Sequence, residues 1–535
     1  MLWAPRRLAL AMTWHACLLA QTPAPKPGRV EGTVTNSVTG GGIRKAEVIM
    51  NGQAAQNVLT DATGHFAIEN VTPGGYSIQV NCPGYAFPPP GVNGLKQIKV
   101  AEQQEVKDVS IKLTPLSVVS GKVRDENGEA VPHVQIQAFR FSYWFGHRQL
   151  SQSGFAMTND LGQFRMYDLQ PGKYFFMANP QMTMGRGVPD GTITDFENLT
   201  YAATYYPSGL DIAQASVQEV KAGEELAGLE FRLKRSPSFH IRGSIVRAAD
   251  EERGLVVQVF RAGRPTNAAA HSPREDGSWD IPNVVPGEYT LIATLNGRMD
   301  TDSARATIIV SDHDVDDVKL TMEPALTLHG ASIVEGTSAS PQTAAIHMSL
   351  EPSEGPGGGH FSGAQATIKD DGTFEMKNIV PDIYALNIMG AAPRYVKSIQ
   401  FDGQDIPSGT LDLTQHRGGE LQLVFGTDAG QIHGTTSPSI TITATPAVEG
   451  PIRRDQFSFT QSDANGNFQF LNLAPGKYQI MAWENGDLSP MQIPELRKQL
   501  EGSAASVTLS ANGNESVQVT LIPADQVAAA LQKLP

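Results

Sequence analysis

The chain has 535 residues, of which 40% are hydrophobic and 18% are charged, a composition typical of folded, soluble protein. Because a domain usually holds roughly 100–200 residues, this length predicts roughly three to five domains. The net charge of −14 excludes a sequence-wide attraction to nucleic acid or anionic lipid, and no basic run after the N-terminus offsets it.

Residues 1–20 are typical of an export signal. Two arginines precede a short apolar run, LALAMTWHACLLA, which ends in a small residue. The run is shorter than the roughly 20 residues that span a bilayer, so a membrane anchor is the weaker interpretation. Residues 21–27 form a Pro-rich linker. We therefore expect an extracytoplasmic protein (periplasmic, on the outer surface or secreted) that is not an integral membrane protein once the signal is removed.

A five-position template recurs through the rest of the chain. It consists of a glycine, an aromatic residue two positions later, Asn or Asp, Pro, and a Tyr ten residues after the aromatic. The copies are Gly64, Phe66, Asn70, Pro73, Tyr76; Gly162, Phe164, Asp168, Pro171, Tyr174; Gly277, Trp279, Asn283, Pro286, Tyr289; Gly372, Phe374, Asn378, Pro381, Tyr384; and Gly466, Phe468, Asn472, Pro475, Tyr478. The fixed spacing of five positions in every copy indicates an internal repeat.

Each copy predicts two strands joined by a tight bend. Around Phe66 and again after Tyr76, apolar residues alternate with polar or small ones, the period of half-buried strands. The template glycine supplies the positive φ of a turn or bulge, and Pro-Gly sets the bend in four copies. The fourth copy has Asp382 after its proline, so we expect its turn to differ. We expect each Tyr ring to lie in the core with its hydroxyl bonded to nearby backbone.

An opening strand precedes each copy, as in RVEGTVT, although it is less regular in the fourth and fifth copies, and an alternating closing strand follows each copy, as in VSIKL. Short strands with frequent turns predict an all-β chain, a tandem array of about five small Greek-key β-sandwich domains. The expected sandwiches span residues 28–115, 116–236, 237–324, 325–426 and 427–523, and residues 524–535 form a C-terminal tail. Helices are expected at 494–502 and in the tail.

With these strands and the stretch TDATGHFAIENVTPGGYSI in place, the chain resembles the carboxypeptidase regulatory-like family, in its multi-repeat secreted bacterial type. The resemblance covers most of the chain after the linker and is strongest in the first, second and fifth units. It implies transthyretin-like (prealbumin/Ig-like) β-sandwiches, which are often grouped with starch-binding-domain-like folds. Such domains accompany peptidases, transporters and surface proteins, usually without catalysing a reaction, so the resemblance implies the fold far better than the function.

The sequence lacks the motifs of common catalytic sites, namely HExxH, CxxC, GxSxG and a P-loop. None of its 12 histidines has Glu three residues later, as a zinc carboxypeptidase would need. Cys82, alone after signal removal, is expected to be a small buried residue. The acidic stretches 311–317 and 462–467 could hold calcium, although solvated turns are the simpler interpretation. We therefore predict no enzyme, no cofactor and no metal.

The second sandwich is unusual in its length and its aromatic content. Its closing strand begins 55 residues after Tyr174, whereas that of the first sandwich begins 33 residues after Tyr76. This insertion and an earlier connection, residues 140–149, hold the aromatic residues Tyr143, Trp144, Phe145, Tyr205 and Tyr206. Aromatic faces beside polar groups suit sugar rings. In the alternative interpretation, these rings pack the insertion onto its own sandwich.

These features predict an exported, non-enzymatic, multi-domain binding or scaffold protein of the cell envelope. Its favoured ligand is a polysaccharide, bound by Tyr143, Trp144, Tyr205 and Tyr206. The alternative is a structural spacer or protein-docking rod without a small ligand, whose exposed strand edges recruit a partner such as an envelope protein by strand addition. A more remote alternative is an accessory subunit of a peptidase or a transporter.

Overall fold

A computed structural model describes residues 26–52, 55–86, 96–144, 147–180, 199–246, 254–261, 267–295, 302–335, 346–352, 364–416, 418–438, 440–448, 452–463, 465–484 and 488–534. The predicted export signal, residues 1–20, lies outside these ranges. The described residues divide into two compact units. One contains the described residues up to Cys82 together with 96–112, and the other contains 83–86 and everything from Leu113 onward.

The first sandwich is built from two sheets, with strand orders β4-β1-β8-β6 and β3-β2-β5-β7. Its strands are β1 (Gly28–Asn36), β2 (Glu47–Asn51), β3 (Gln56–Leu59), β4 (His65–Val71), β5 (Gly74–Asn81), β6 (Tyr85–Ala86), β7 (Lys96–Val100) and β8 (Glu105–Pro115). Val30, Phe66 and Ile111 alternate with half-buried or exposed neighbours along their strands and are buried between the sheets.

The second and third sandwiches repeat this arrangement. The strands of the second are β9 (Ser117–Arg124), β10 (Gln135–Trp144), β11 (His147–Met157), β12 (Gln163–Leu169), β13 (Gly172–Asn179), β14 (Leu199–Tyr201), β15 (Thr204–Tyr205), β16 (Gln218–Val220) and β17 (Glu225–Arg232), with a 3₁₀ turn at Ile212–Gln214. A linker strand follows, β18 (Arg235–Pro237). The third contains β19 (Phe239–Val246), β20 (Leu255–Arg261), β21 (Asn267–His271), β22 (Ser278–Val284), β23 (Gly287–Leu295), β24 (Ser303–Val310) and β25 (Val315–Thr321).

The fourth and fifth sandwiches complete the chain. The fourth contains β26 (Leu326–Val334), β27 (His347–Pro352), β28 (Gln365–Thr367), β29 (Thr373–Ile379), β30 (Ile383–Met389), β31 (Tyr395–Phe401), β32 (Gln404–Asp405), β33 (Thr410–Asp412) and β34 (Gly419–Gly426). The strands of the fifth are β35 (Gly430–Thr435), β36 (Thr441–Pro446), β37 (Ser458–Gln461), β38 (Asn467–Leu473), β39 (Gly476–Trp483), β40 (Ala505–Leu509), β41 (Asn514–Gln518) and β42 (Leu521–Ile522). Its helices are α1 (Leu488–Met491), α2 (Pro494–Gln499) and α3 (Ala524–Gln532), with 3₁₀ turns at Arg454–Gln456 and Glu501–Ser503.

One sheet of each sandwich brings the opening strand and the closing strand together. The opening strands are β1, β9, β19, β26 and β35, and the closing strands are β8, β17, β25, β34 and β41. In the second to fifth sandwiches these two strands pair in parallel, while the first template strand pairs antiparallel with the other side of the opening strand. The predicted all-β tandem array is confirmed.

A glycine of the opening strand lies opposite the template aromatic in every sandwich. The pairs are Gly32 with Phe66, Gly121 with Phe164, Gly243 with Trp279, Gly330 with Phe374, and Gly434 with Phe468. A Cβ atom at any of these glycines would overlap a backbone oxygen of the closing strand, such as that of Val109 beside Gly32. In the last four sandwiches it would also overlap the aromatic ring. Only glycine therefore allows the three strands to meet this closely.

The template Tyr makes the predicted backbone bond in every copy. Its ring is buried, and its hydroxyl donates to the carbonyl oxygen of the residue four positions earlier. The oxygen–oxygen distance is 2.7 Å in the first four copies and 2.9 Å in the fifth. The ring contributes buried apolar area and the hydroxyl satisfies a corner carbonyl, which is the arrangement that the sequence predicted.

The Asn or Asp of the template adopts a left-handed backbone conformation. The φ angles are 58° at Asn70, 61° at Asp168, 60° at Asn283, 61° at Asn378 and 59° at Asn472. At each of these sites the pairing with the opening strand shifts register. Asn and Asp tolerate this conformation better than other residues with a side chain, which explains their recurrence at a bulge. The template glycines also have positive φ, as predicted.

The bend of the fourth copy differs by one residue. Strand β30 begins at Ile383, whereas β5, β13, β23 and β39 begin at the glycine that follows the proline. The Asp382 carboxylate accepts a hydrogen bond from the Ile383 backbone N–H at 2.9 Å. Tyr384 nevertheless keeps its bond to the Val380 carbonyl. The substitution of Asp for Gly thus changes the turn without changing the corner.

Both predicted helices are present, in the fifth sandwich. Helix α2 starts with a proline at its first position, and α3 lies in the C-terminal tail. Together they cover the outer face of β39, where Trp483, Leu496 and Val527 form a second apolar cluster. The Trp483 indole N–H donates to the Thr443 hydroxyl at 2.9 Å, so its polar atom is satisfied inside this cluster.

Replacing Gly32 with Ala is expected to destabilise the first sandwich by about 1–3 kcal/mol, because the added methyl group overlaps the Val109 backbone. Gly75→Ala, in the same sandwich, is the control, since no atom lies within 4 Å of its Cβ position. Hydrogen-exchange mass spectrometry of the full chain measures the loss of protection in β1. Equal protection in the two variants would contradict the close approach.

Burial raises the pKa of the Tyr478 hydroxyl to about 12, from an ordinary value of 10.0. The folded fifth sandwich thus favours the neutral hydroxyl. Its contribution to stability is complete below pH 10 and is lost as the pH rises through about 12, at about 1.4 kcal/mol per pH unit. An alkaline titration followed by tyrosinate absorbance should therefore show one transition fewer at high pH in Tyr478→Phe, and this missing late transition is that of Tyr478. Tyr167→Phe, at an exposed ring, is the control and should keep that late transition.

Candidate functional site

The structure buries Tyr205 in the second sandwich. Tyr205 lies on β15, which pairs with β13 so that Met177 is opposite Tyr205. Its side chain is 1% exposed and packs against Phe139, Met177 and Ala203. A ring covered in this way presents no face to a sugar. The structure therefore corrects the expectation for Tyr205, whose ring packs the insertion onto its own sandwich.

Tyr206 is half-buried on the opposite side of the same segment. Its ring meets Phe231 edge to face, with centroids 5.4 Å apart and planes at 74°. Its backbone N–H donates to the Phe176 carbonyl at 2.9 Å. Because successive residues of an extended segment point to opposite sides, Tyr205 and Tyr206 enter two different apolar clusters. Most of the Tyr206 ring is thus used in packing.

Tyr143 and Trp144 end strand β10, where they pair with Arg148 and His147 of β11. Their side chains and Phe145 lie outside the described residues. The described backbone places Gln137 of β10 opposite Met177, which is the partner of Tyr205. Tyr143 is six residues further along the strand, roughly 20 Å at about 3.3 Å per residue. The backbone thus separates the position of Tyr143 from that of Tyr205, and carbohydrate binding stays a prediction.

The insertion of the second sandwich instead pairs with the linker that leads to the third sandwich. Strand β14 of the insertion pairs antiparallel with β18, from Leu199 opposite Pro237 to Tyr201 opposite Arg235. The Arg235 guanidinium lies 5.5 Å from the Tyr201 ring centre, and its Nε atom is 3.1 Å from a Glu126 carboxylate oxygen. The linker strand β18 is thus held by backbone pairing, by a cation–π contact and by an ion pair.

An ion pair joins the third and fourth sandwiches. Arg305 on β24 approaches the carboxylate of Asp382, with 3.2 Å between the Arg305 Nη1 and Asp382 Oδ1 atoms. The Asp382 side chain is only 14% exposed. Burial raises the pKa of this carboxyl above its ordinary value, although Arg305 opposes the shift. Asp382 is also the residue that replaces the usual glycine after the template proline. The one irregular turn therefore carries a contact between sandwiches.

The junction of the fourth and fifth sandwiches contains a buried arginine. Arg453 belongs to the fifth sandwich, and its side chain is 4% exposed. Its Nε and Nη2 atoms each lie 2.9 Å from an oxygen of Asp455, which makes a bidentate pair. The Nη2 atom also donates to the Val396 carbonyl of the fourth sandwich at 2.8 Å, and Nη1 reaches the Pro407 carbonyl at 3.5 Å. Arg453 thus binds backbone across the junction.

Two further polar contacts involve the neighbours in sequence of Arg453 and of its partner Val396. The neighbouring Arg454 lies 3.5 Å from a Glu351 carboxylate oxygen on β27. The Tyr395 hydroxyl of β31 donates to the carboxylate of Asp428, on the connection to β35, at 2.9 Å. Burial, together with the bond to Asp428, raises the pKa of Tyr395 far above its ordinary value, so this hydroxyl remains a donor at neutral pH.

The acidic stretches that could hold calcium have other partners in the structure. In the first stretch, Asp314 and Asp316 lie 2.8 and 3.0 Å from the Arg242 guanidinium. In the second, the Asp463 carboxylate accepts the backbone N–H groups of Asn465 and Asn467, both at 2.8 Å. Within the described ranges, no three His, Cys, Asp or Glu side chains are grouped so that they could hold a metal ion.

Other polar groups likewise pair with one another. His240 lies 2.6 Å from Asp280 on the outer face of the third sandwich, in the ion-pair cluster of Arg242. A shallow groove of about 570 Å³ lies on the second sandwich, where Glu225 takes hydrogen bonds from Arg165 at 3.0 Å and Ser120 at 2.9 Å. Cys82 is half-buried rather than buried, and burial raises the pKa of its thiol.

The sequence indicated one of these junction residues and missed the others. Asp382 could be identified as unusual in the sequence, because it replaces the glycine of a Pro-Gly pattern found in the other four copies. Arg305 and Arg453 had no such signal, since a lone basic residue on an outer position is ordinary in a strand or loop. Their partners are distant in sequence, as with Arg453 and Val396, which are 57 residues apart.

Residues 29–114 match the family described as the carboxypeptidase regulatory-like domain, which confirms the recognition in the first sandwich. No curated protein matches the chain. Among solved structures, the chain is similar to the Bacillus anthracis TIE protein, at 15% identity and a TM-score of 0.18 over 56% of this chain. The match covers 51% of the TIE protein, so this chain spans about half of its length.

Two pilin structures are similar at the same level. A Streptococcal ancillary pilin is 11% identical, with a TM-score of 0.18, over 53% of this chain and 98% of the pilin. BcpA, the major pilin subunit of Bacillus cereus, is 10% identical, with a TM-score of 0.18, over 56% of this chain and 100% of BcpA. At these TM-scores the likenesses carry no functional argument. In the described part of the chain, no helix combines the length and apolar character needed to cross a membrane.

Replacing Arg453 with Ala is expected to cost about 3–5 kcal/mol, because it leaves the Asp455 carboxylate and two carbonyl oxygens unpaired in a buried place. The adjacent Arg454→Ala is the matched control, at about 1 kcal/mol, since its ion pair with Glu351 remains partly open to solvent. Urea unfolding and hydrogen exchange in β31 of the full chain give the comparison. If the two substitutions have the same effect, Arg453 does not hold the junction.

Proposed function

We propose that the chain is a non-enzymatic structural scaffold in which the second to fifth sandwiches are fastened to one another. The observation that carries this proposal is the location of the departures from the repeat. The long insertion pairs with the linker through β14, the irregular turn at Asp382 contacts Arg305, and a loop of the fifth sandwich contributes Arg453. The features that differ between otherwise equivalent sandwiches thus make contacts at the junctions between these sandwiches.

The chemistry of these contacts supports a fixed connection rather than a flexible one. A surface ion pair adds little to stability, but a buried pair with additional hydrogen bonds requires one geometry. Arg453 meets this condition, because its guanidinium is buried, bidentate with Asp455 and bonded to the Val396 carbonyl. The pairing of β14 with β18 adds backbone hydrogen bonds at another junction. Both features favour a scaffold whose sandwiches keep their relative positions.

We place this scaffold at the cell envelope or outside the cell. The support is the export-type sequence of residues 1–20, which precedes the sandwiches. Among the described residues Cys82 is a free cysteine, and the sandwiches are stabilised by packed cores. A carbohydrate ligand is not needed for the scaffold role, and the described contacts of Tyr205 and Tyr206 favour packing over sugar binding.

Asp382→Gly, which restores the residue of the other copies, is expected to loosen the junction of the third and fourth sandwiches. Spin labels on Glu288→Cys and Lys377→Cys, in a Cys82→Ser background, report the distance between these sandwiches by electron–electron double resonance. We expect a narrow distance distribution in the parent and a broader one after Asp382→Gly, because the Arg305 pair is lost.

Asp370→Gly makes the same exchange at an exposed turn of the fourth sandwich and should leave the distribution narrow. A broad distribution in the parent would contradict a fixed scaffold. A distribution unchanged by Asp382→Gly would show that the Arg305 pair does not maintain the junction.

A further inference from the structure

One hairpin of the second sandwich is longer than its own sheet. Strands β10 and β11 pair along the whole length of β10, as far as Trp144 opposite His147. Strand β13, on the other side of β10, pairs with it only as far as Phe139. The end of β10 and its partner residues on β11 therefore extend beyond the sheet, by roughly 16 Å at about 3.3 Å per residue. We call these residues, 140–144 and 147–151, the ribbon.

The equivalent strands of the other sandwiches do not project. Strands β2, β20, β27 and β36 have five to seven residues, all of which pair with the central strand beside them, whereas β10 has ten residues. At the base of the ribbon, the Phe141 ring meets Phe175 of β13 edge to face, with centroids 5.4 Å apart. A two-stranded hairpin alone is at best marginally stable in water, so the outer part of the ribbon needs another packing partner.

The fifth sandwich has a helical segment between β39 and β40, and in the described part of the chain α-helices occur only in this sandwich. Its first helix, α1, is short but firmly positioned. Met491 and Ile493 are each 1% exposed and belong to the apolar cluster of Trp483. The buried Arg497 of α2 donates from its Nη1 atom to the carbonyls of Met491 and Gln492, at 3.3 and 3.1 Å. Packing and these hydrogen bonds thus fix α1 on the fifth sandwich.

Helix α1 and strand β10 lie side by side, although two sandwiches separate them in the chain. Cα atoms of α1 come within 8 Å of Cα atoms of β10, so the second and fifth sandwiches contact each other directly. Neighbours in the chain are already connected through the β18 linker, through the pair of Arg305 with Asp382 and through Arg453. With the contact of α1, the second to fifth sandwiches form a closed circuit in which each one contacts two others.

We propose that the ribbon of the second sandwich binds helix α1 of the fifth sandwich and thereby closes this circuit. The rest of β10 is already covered on both faces, since Ile136 belongs to the core and Phe139 packs against Tyr205 of the insertion. The ribbon is therefore the part of β10 that can reach another sandwich. Its first strand ends in Tyr143 and Trp144, and α1 has the sequence LSPM, so both elements are rich in apolar residues. These aromatic residues thus have a protein partner instead of a sugar.

A contact of this size suffices because both elements belong to one chain. Two separate molecules would lose translational and rotational freedom on binding, which a helix of four residues could not offset. The sandwiches between them keep the ribbon and α1 close together, and the effective concentration of partners joined in this way is on the order of millimolar. The inference rests on the proposed scaffold function and adds a contact between sandwiches that are not neighbours in the chain.

Spin labels on Lys122→Cys and Thr508→Cys, in a background without the native cysteines, report the distance between the second and fifth sandwiches by electron–electron double resonance. Both positions are exposed and lie outside the ribbon and α1. We expect a narrow distance distribution in the full chain. Replacing residues 142–149 with Asn-Gly shortens the ribbon to a tight hairpin that keeps the pair of Phe141 with Leu150, and the narrow peak should be lost.

The double variant Tyr143→Ser with Trp144→Ser keeps the length of the ribbon and should also lose the narrow peak. Tyr167→Ser, at an exposed tyrosine of the same sandwich outside the ribbon, is the control and should leave the distribution unchanged. Circular dichroism checks that the variants fold. A broad distribution in the parent, or a narrow one in both ribbon variants, overturns the proposal.

The labels on Glu288→Cys and Lys377→Cys distinguish this result from a failure of the proposed function. A parent that is broad between the second and fifth sandwiches but narrow between the third and fourth would overturn the closed circuit and leave the scaffold intact. Broad distributions at both pairs of labels would overturn the scaffold as well.

Discussion

Each sandwich depends on one backbone contact, the approach of the closing strand to a glycine of the opening strand beneath an aromatic ring. At Gly32 a Cβ atom would overlap the Val109 carbonyl, and the equivalent glycines are restricted in the same way. The register that places glycine opposite the aromatic also sets the bulge at Asn70 and the corner bond of Tyr76. The spacing of the template is fixed because these contacts occur in one register only.

This shared frame leaves the outer loops and turns free to vary, and three of the described departures from it lie at contacts between sandwiches. Strand β14 of the insertion pairs with a linker, Asp382 replaces a glycine and meets Arg305, and Arg453 enters the fourth sandwich from a loop. None of these changes disturbs a template position that packs the core. Repetition of the frame thus provides the fold, and departures from it provide the connections.

The fold could be predicted from sequence because its signals are local. Alternation, turn residues and the template spacing each lie within about twenty residues of one another, and they indicated the strands, the corner tyrosines and both helices. The junctions could not be predicted in this way, because Arg305 and Asp382 come from different sandwiches. The burial of Tyr205 could not be predicted from the sequence either. An aromatic residue in an insertion can bind a ligand or pack in a core, and only its neighbours Phe139 and Met177 distinguish the two.

The parallel pairing of opening and closing strands has a mechanical consequence. In the second to fifth sandwiches the chain enters at one end of this strand pair and leaves at the other, as β9 and β17 show. Tension applied through the chain would pull the two strands along each other, so that their hydrogen bonds carry the load together instead of opening one after another. Each of these four sandwiches therefore resists stretching along the chain, which is a property that the proposed scaffold would use.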